Sequence, residues 1–223
     1  MTFNLAEQSV TDLNQALHAA PAGSSWEVLE PRGRHAIAAG LDQDLEVVIR
    51  GHVGYYCAGM NQLAAVVVEG NAGVGVAENM MSGRVHVKGS ASQSAGATAH
   101  GGLLVIDSDA AARCGISLKG ADIVVGGSVG HMSAFMAQAG RLVICGDAGQ
   151  ALGDSIYEAR LYVKGQVASL GADCVEKEVR PEHLAELAQL LAAAGRSERP
   201  EDFRRYGSAR QLYNFHIDHA DQY

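Results

Sequence analysis

LVICGDAGQALGDSIYEARLYVKGQVA, residues 142–168, carries one full period of the pattern that decides the fold. A branched-aliphatic step at Leu142 and Ile144 leads to Gly146, Gly149 and Gly153. The series then restarts at Leu161, Val163, Gly165 and Ala168. The spacing is 19 residues, and it holds through seven repeats without an insertion. The anchors are Gly51, Gly70, Gly89, Ser108, Gly127, Gly146 and Gly165. Three residues later stand Gly54, Gly73, Ser92, Ala111, Gly130, Gly149 and Ala168. Seven residues after the anchors stand Ala58, Ala77, Gly96, Gly115, Ala134, Gly153 and Ala172. Columns confined to Gly, Ala and Ser mark corners where larger side chains would collide with the coils above and below.

Four and two residues before each anchor come Val47/Ile49, Val66/Val68, Val85/Val87, Leu104/Ile106, Ile123/Val125, Leu142/Ile144 and Leu161/Val163. Period-2 alternation of branched aliphatics is the mark of a strand with one face in a core. A strand, a small corner and a fixed period describe one rung of a solenoid. An amphipathic helical repeat would need 3.6-residue periodicity and few glycines. A left-handed hexapeptide helix would need a period divisible by six. The expected fold is therefore an all-β core, a right-handed parallel β-helix of about seven 19-residue coils with short N- and C-terminal helices. Residues 41–175 form the solenoid, residues 1–40 an N-terminal helix and cap, and residues 176–223 a C-terminal helix and aromatic tail.

The residue between the two core aliphatics points outwards. It is Val48, Val67, His86, Val105, Val124, Val143 and Tyr162. A parallel sheet apolar on both faces is normally covered on both, either by the terminal helices or by another subunit. Arg50, Glu69, Lys88 and Asp107, just before successive anchors, alternate in sign. As solvated surface charges, such pairs contribute only roughly 0.2–1 kcal/mol each.

Residues 11–20 read as a short helix with Thr11 as N-cap and Pro21 beyond its end. Residues 181–194 read as a second, opened by Pro181, carrying Leu184, Leu187, Leu190 and Leu191 on one face and stopped by Gly195. Residues 196–223 are strongly charged, yet hold five of the chain's twelve aromatics: Phe203, Tyr206, Tyr213, Phe215 and Tyr223. Aromatic residues with arginine are what interfaces prefer. The expected docking surface is thus the outer column (Val48, Val67, Val105, Val124, Val143) with Phe203, Tyr206, Tyr213 and Phe215 of the tail.

Composition narrows the function classes. The formal net charge of −8 comes with no basic stripe, which argues against nucleic acid as a partner. No run of 18 apolar residues suggests a membrane span, and the N-terminus lacks the pattern of a secretion signal. Four cysteines without CxxC spacing fit a reducing, cytoplasmic setting. Cys57 and Cys114 share one repeat position three coils apart, roughly 14 Å at the usual strand spacing, which is beyond disulfide or shared-metal reach. Cys145 and Cys174 fall in no ligand set. His216 and His219 have metal-like spacing but no third ligand, and His52 and His131 flank corner glycines as surface residues. The segment GNAGVG at residues 70–75 is explained by the repeat, and no Lys-Ser/Thr follows it. No catalytic residue and no metal site is expected.

The pattern Gly-x-x-Gly-x-x-x-Ala/Gly through residues 40–175 resembles the GXGXG domain family, with Ser or Ala replacing Gly in the third, fourth and seventh coils. The resemblance implies relatives such as the C-terminal domain of the glutamate synthase large subunit and the GXGXG-containing subunit of formylmethanofuran dehydrogenase. The segment YGSARQLYNFH, residues 206–216, is similar to the stand-alone β-helix subunit of glutamate synthase-like complexes, typified by N-methylglutamate synthase. That resemblance implies two partners, a glutamine amidotransferase-like subunit and an FMN-binding glutamate synthase-like subunit that also carries an iron–sulfur cluster. The hetero-oligomer would form N-methylglutamate from methylamine and glutamate, releasing ammonia. An independent solenoid enzyme and a self-assembling structural protein are the readings from other classes.

Overall fold

Each 19-residue period becomes one coil. The computed structural model of the chain describes residues 1–211. Seven strands carry the repeat: β3 (Glu46–Ile49), β4 (Ala65–Val68), β5 (Arg84–Val87), β6 (Leu103–Ile106), β7 (Lys119–Val125), β8 (Ala139–Ile144) and β9 (Arg160–Val163), counted after β1 (Thr2–Asn4) and β2 (Ser25–Leu29). They stack in parallel and in register. Val47 lies beside Val66, then Val85, Leu104, Ile123, Leu142 and Leu161. These side chains fill the interior, each at 1% exposure or less. A second ladder of bridges joins Val53, Ala72, Ala91, Ala110, Val129, Ala148 and Val167.

The small columns have two physical origins. At the anchors and three residues on, coils approach backbone to backbone. A Cβ added at Gly70 would lie 2.7 Å from the carbonyl carbon of Gly51, one at Gly73 2.6 Å from Gly54, and one at Gly149 2.8 Å from Gly130. Gly146 and Gly165 face Gly127 and Gly146 in the same way, at 2.7 and 2.6 Å. Gly51, Gly54 and Gly127 meet Pro31, the Gly33–His35 segment and the Ser108–Asp109 segment of the preceding turn. At seven residues on, the reason in the first six coils is the left-handed backbone, which Ala172 of the seventh does not share. Ala58, Ala77 and Ala134 have φ of 52°, 56° and 58°, matching Gly153 at 65°. Their N–H groups bond back to the preceding coil, as Ala77 does to Cys57 at 2.9 Å and Ala134 to Cys114 at 2.8 Å. Such hydrogen bonds offset the cost of a left-handed residue.

One residue after the anchors, side chains cap the next coil. His52 Nδ1 accepts the Asn71 N–H at 2.9 Å, and Asn71 Oδ1 accepts that of Ser90 at 2.9 Å. Asp109, Ser128 and Asp147 repeat the motif toward Ser128, Asp147 and Gln166. The alternating charges resolve into two surface pairs, Arg50 with Glu69 at 2.5 Å and Lys88 with Asp107 at 3.7 Å.

Both ends differ from expectation. The sheet does not begin near residue 41. β1 pairs with β2 and β2 with β3, both in parallel, so Phe3, Val28 and Ile49 continue the ladder. Register partners here lie 25 and 21 residues apart instead of 19 (Phe3 to Val28, Val28 to Ile49), so the period hides these two strands. The first helix, α1 (Val10–His18), starts earlier than Thr11 suggests. Ser9 is the N-cap, its Oγ accepting the Asp12 N–H at 3.1 Å while Asp12 accepts the Ser9 N–H, a reciprocal capping box. At the other end, β10 (Cys174–Lys177) is followed by α2 (Pro181–Ala193), a 3₁₀ turn at Pro200–Asp202 and β11 (Arg204–Ser208). β11 runs antiparallel and inserts between β9 and β10. The tail thus closes this end of the solenoid and, among the described residues, leaves the short β10 as its edge, with the three-residue β1 at the other end; short edge strands limit pairing with other chains.

Candidate docking surface

The outer column divides at the third coil. Val105, Val124 and Val143 are fully buried beneath α2, packed with Leu187, Leu190, Leu191, Ala194 and Phe203. This corrects the expectation that they present a docking face. The two-sided apolar sheet is covered, and its cover comes from the same chain. Phe203 and Tyr206 are corrected likewise. Phe203 joins that cluster, and Tyr206 turns into the solenoid interior at 2% exposure because β11 presents alternate residues to opposite faces. Val48 and Val67, beyond the end of α2, stay half-buried. Tyr213, Phe215, Tyr223, His216 and His219 lie outside the described residues.

Tyr162 explains how α2 is oriented. It occupies the outer column where earlier coils carry valine, and its hydroxyl needs a partner. It donates to Glu186 Oε1 at 2.8 Å. Glu186 also pairs with Arg160 and, at 3.2 Å, with Arg141. Partial burial alone would raise the Glu186 carboxyl. The Tyr162 hydroxyl, then Arg160 and Arg141, outweigh that and hold it below the usual carboxylate range. A carboxyl whose folded pKa is depressed contributes stability above its unfolded pKa, and that contribution is lost as pH falls through the folded value. Glu186→Gln is expected to cost about 1–3 kcal/mol at pH 7. It should also flatten the stability profile below roughly pH 4.5, the unfolded range. Urea titrations of both proteins between pH 7 and 3 check this, and parallel profiles would refute it.

The remaining sequence candidates are structural. Cys57 and Cys114 are fully buried, and burial pushes both thiols up to about 12, so neither is a thiolate nucleophile near neutrality. Cys174 is pushed to about 12, first by burial, and Cys145 to about 11, first by burial and then by Glu198. His52 is satisfied by the ladder described above. Among the described residues, no group of three His, Cys, Asp or Glu side chains is placed to hold a metal. No helix among them is long and apolar enough to cross a membrane.

A different surface is apolar and open. Tyr55, Tyr56, Met60, Leu63 and Met81, on the turn side of the first two repeat coils, are each 49–55% exposed. Tyr55 stacks on His35 at 4.5 Å between ring centroids, and Tyr56 meets Tyr55 edge-on at 6.4 Å. Met81 is tied beside the Met60–Leu63 turn by its N–H bond to Asn61 at 2.8 Å. Tyr56 and Met60 are left-handed at φ 59° and 56°, so rigid, hydrogen-bonded backbone holds them outwards. Contiguous exposed apolar residues on an ordered surface mark interaction sites. Column comparison carries the signal that finds them. The positions of Tyr56 and Met60 are filled in the next three coils by Gly75, Ser94, Arg113 and by Asn79, Thr98, Ser117, and are apolar again at Met132 and Met136 of the fifth.

Comparison with known proteins returns a relative over the full length. Protein GlxC of Rhizobium meliloti (strain 1021) is 61% identical over 225 residues, spanning 99% of this chain and 99% of the relative. No family model matches the chain.

Proposed function

The chain belongs to the family of Protein GlxC, and on that premise we propose that it is the non-catalytic scaffold subunit of a glutamate synthase-like complex. The observation that carries the scaffold reading is the exposed patch of Tyr55, Tyr56, Met60, Leu63 and Met81 on a solenoid whose interior and corners are taken up by structure. The in-register coils support the GXGXG resemblance. Through that resemblance the partners are a glutamine amidotransferase-like subunit and an FMN-binding subunit that also carries the iron–sulfur cluster. N-methylglutamate synthase is the type of complex favoured, because segment 206–216 is similar to its stand-alone β-helix subunit. The patch docks one of these partners, and the solenoid sets the distance between them.

Co-expression with both subunits tests the reading. The three are expected to co-elute and to convert methylamine and glutamate to N-methylglutamate. Formation of glutamate alone would identify a true glutamate synthase. The double variant Tyr55→Asp/Met60→Asp should weaken association by roughly 30-fold or more, as loss of an interface hot spot does, with an unchanged melting temperature. A chain that elutes alone beside both subunits, or one that turns over substrate alone, would sink the proposal.

A further inference from the structure

The outer column of the sheet ends in two cations without an ion pair among the described residues. β11 places Arg205 beside Tyr162, and β10 places Lys177 directly opposite Arg205. Like charges at directly opposed sheet positions are destabilising. Among the described residues, neither has a carboxylate within ion-pair distance; Arg205 Nε instead donates to the Glu178 carbonyl at 3.0 Å. Both line a cleft of about 610 Å³, in the size range of small-molecule sites.

Three other cations line the same cleft, but each has its own acid. Arg160 pairs with Glu186, Arg180 with Glu178 and Arg210 with Glu158. Glu182 also lines the cleft and has no ion pair, so among the described residues Arg205 and Lys177 are two unpaired cations facing one unpaired carboxylate, a surplus of one positive charge. Arg205 is half-buried, and its guanidinium is held below its usual range, first by burial, with Arg160 and Arg180 acting in the same direction and Tyr162 and Glu186 opposing. The chain as a whole carries −8, so this local surplus runs against its composition. A desolvated guanidinium among other cations gains most from a bidentate oxyanion, and an adjacent ammonium adds a second anchor.

We propose that this cleft binds a small oxyanion, a carboxylate or a phosphate, held between Arg205 and Lys177 with Arg180 at its mouth. The site is independent of the scaffold reading, since it lies on the outer column at the C-terminal end and uses none of the patch residues. His183 provides a reporter. Its Nδ1 accepts the Arg180 N–H at 3.1 Å, and its imidazole is held low by burial and then by Arg205, with Arg160 acting alike and Glu182 and Glu186 opposing. An anion at Arg205 should raise it.

Calorimetric titration of the full chain with phosphate and with succinate, at ionic strength fixed by chloride, tests the site. Saturable binding of one anion per chain is expected, together with an upward move of the His183 titration followed by NMR. Binding of phosphate only, or of succinate only, supports the site and identifies its source. Arg205→Gln and Lys177→Gln should each lower affinity at least tenfold. Arg32→Gln, at the far end of the solenoid and paired with Glu30, should leave it unchanged. Should Arg205→Gln disturb β11, Lys177→Gln on the edge strand tests the same anchor without touching that strand. No saturable binding, an effect that follows ionic strength alone, or affinity retained in Lys177→Gln would overturn the proposal.

Discussion

Gly130→Leu is expected to lower the melting temperature by roughly 10 °C or more. Gly130 sits at a corner of the fifth repeat coil, where a Cβ would lie 2.5 Å from the Ala112 nitrogen and 2.8 Å from the Ala111 carbonyl carbon. Both obstacles are backbone, and both are tied into the stack. Gly130 N–H bonds to Ala110 at 3.0 Å, while Gly149 presses on Gly130 from the other side. No flexible side chain can yield, so the coil must move and its ladder must break. A cost of about 3–5 kcal/mol follows for overpacking against fixed backbone, and about 2–4 °C per kcal/mol for a chain of this size. Gly115→Ala is the informative contrast. Its φ is +67° and its Cβ would touch only side-chain methyls, Ile123 Cδ1 at 3.4 Å and Leu142 Cδ2 at 3.9 Å, while Ala58, Ala77 and Ala134 already occupy that column. A cost near 1 kcal/mol is expected there. Thermal and urea melts of both variants check the contrast, and equal losses would contradict the backbone-contact account.

Leu187→Asp should strip α2 from the sheet and leave the solenoid standing. Leu187 is 1% exposed in the cluster with Val105, Val124, Val143 and Tyr162. A carboxylate there is buried without a partner, so the helix lifts rather than hold it, at a cost of about 3–5 kcal/mol. The three valines would then form an exposed apolar face. Binding of a hydrophobic dye and self-association by sedimentation should both rise, and amide exchange should accelerate in α2 before β6–β8. Ala185→Asp adds the same charge to an exposed position of the helix and should change stability by less than about 0.5 kcal/mol. A variant that melts and exchanges like the parent would show that α2 is not the cover.

The interior was readable because the period is strict. One class of residue per column, small or branched aliphatic, repeated through seven coils, reports directly on backbone contact and on strand faces. Where loops lengthen, as between β1, β2 and β3, the same structure continues without the signal. The outer face was half readable. Its valines demanded a cover, but their spacing is the same whether a helix of the same chain or another subunit lies on them. The Leu187, Leu190 and Leu191 stripe of α2 is complementary to the column, and only the turn through Gly195 and the return of β11 bring the two together.

The sequence by itself determined the coil, its length, its corners and its apolar interior, because those depend on neighbours at a fixed separation along the chain. Only the tertiary structure decided which apolar residues are spent on the fold and which remain open. Val105, Val124, Val143, Phe203 and Tyr206 are consumed, while Tyr55, Tyr56 and Met60 are exposed. It also decided that Arg205 and Lys177 face each other across an antiparallel pair. Burial and cross-strand partnership depend on what a distant segment covers, and local periodicity carries no record of that.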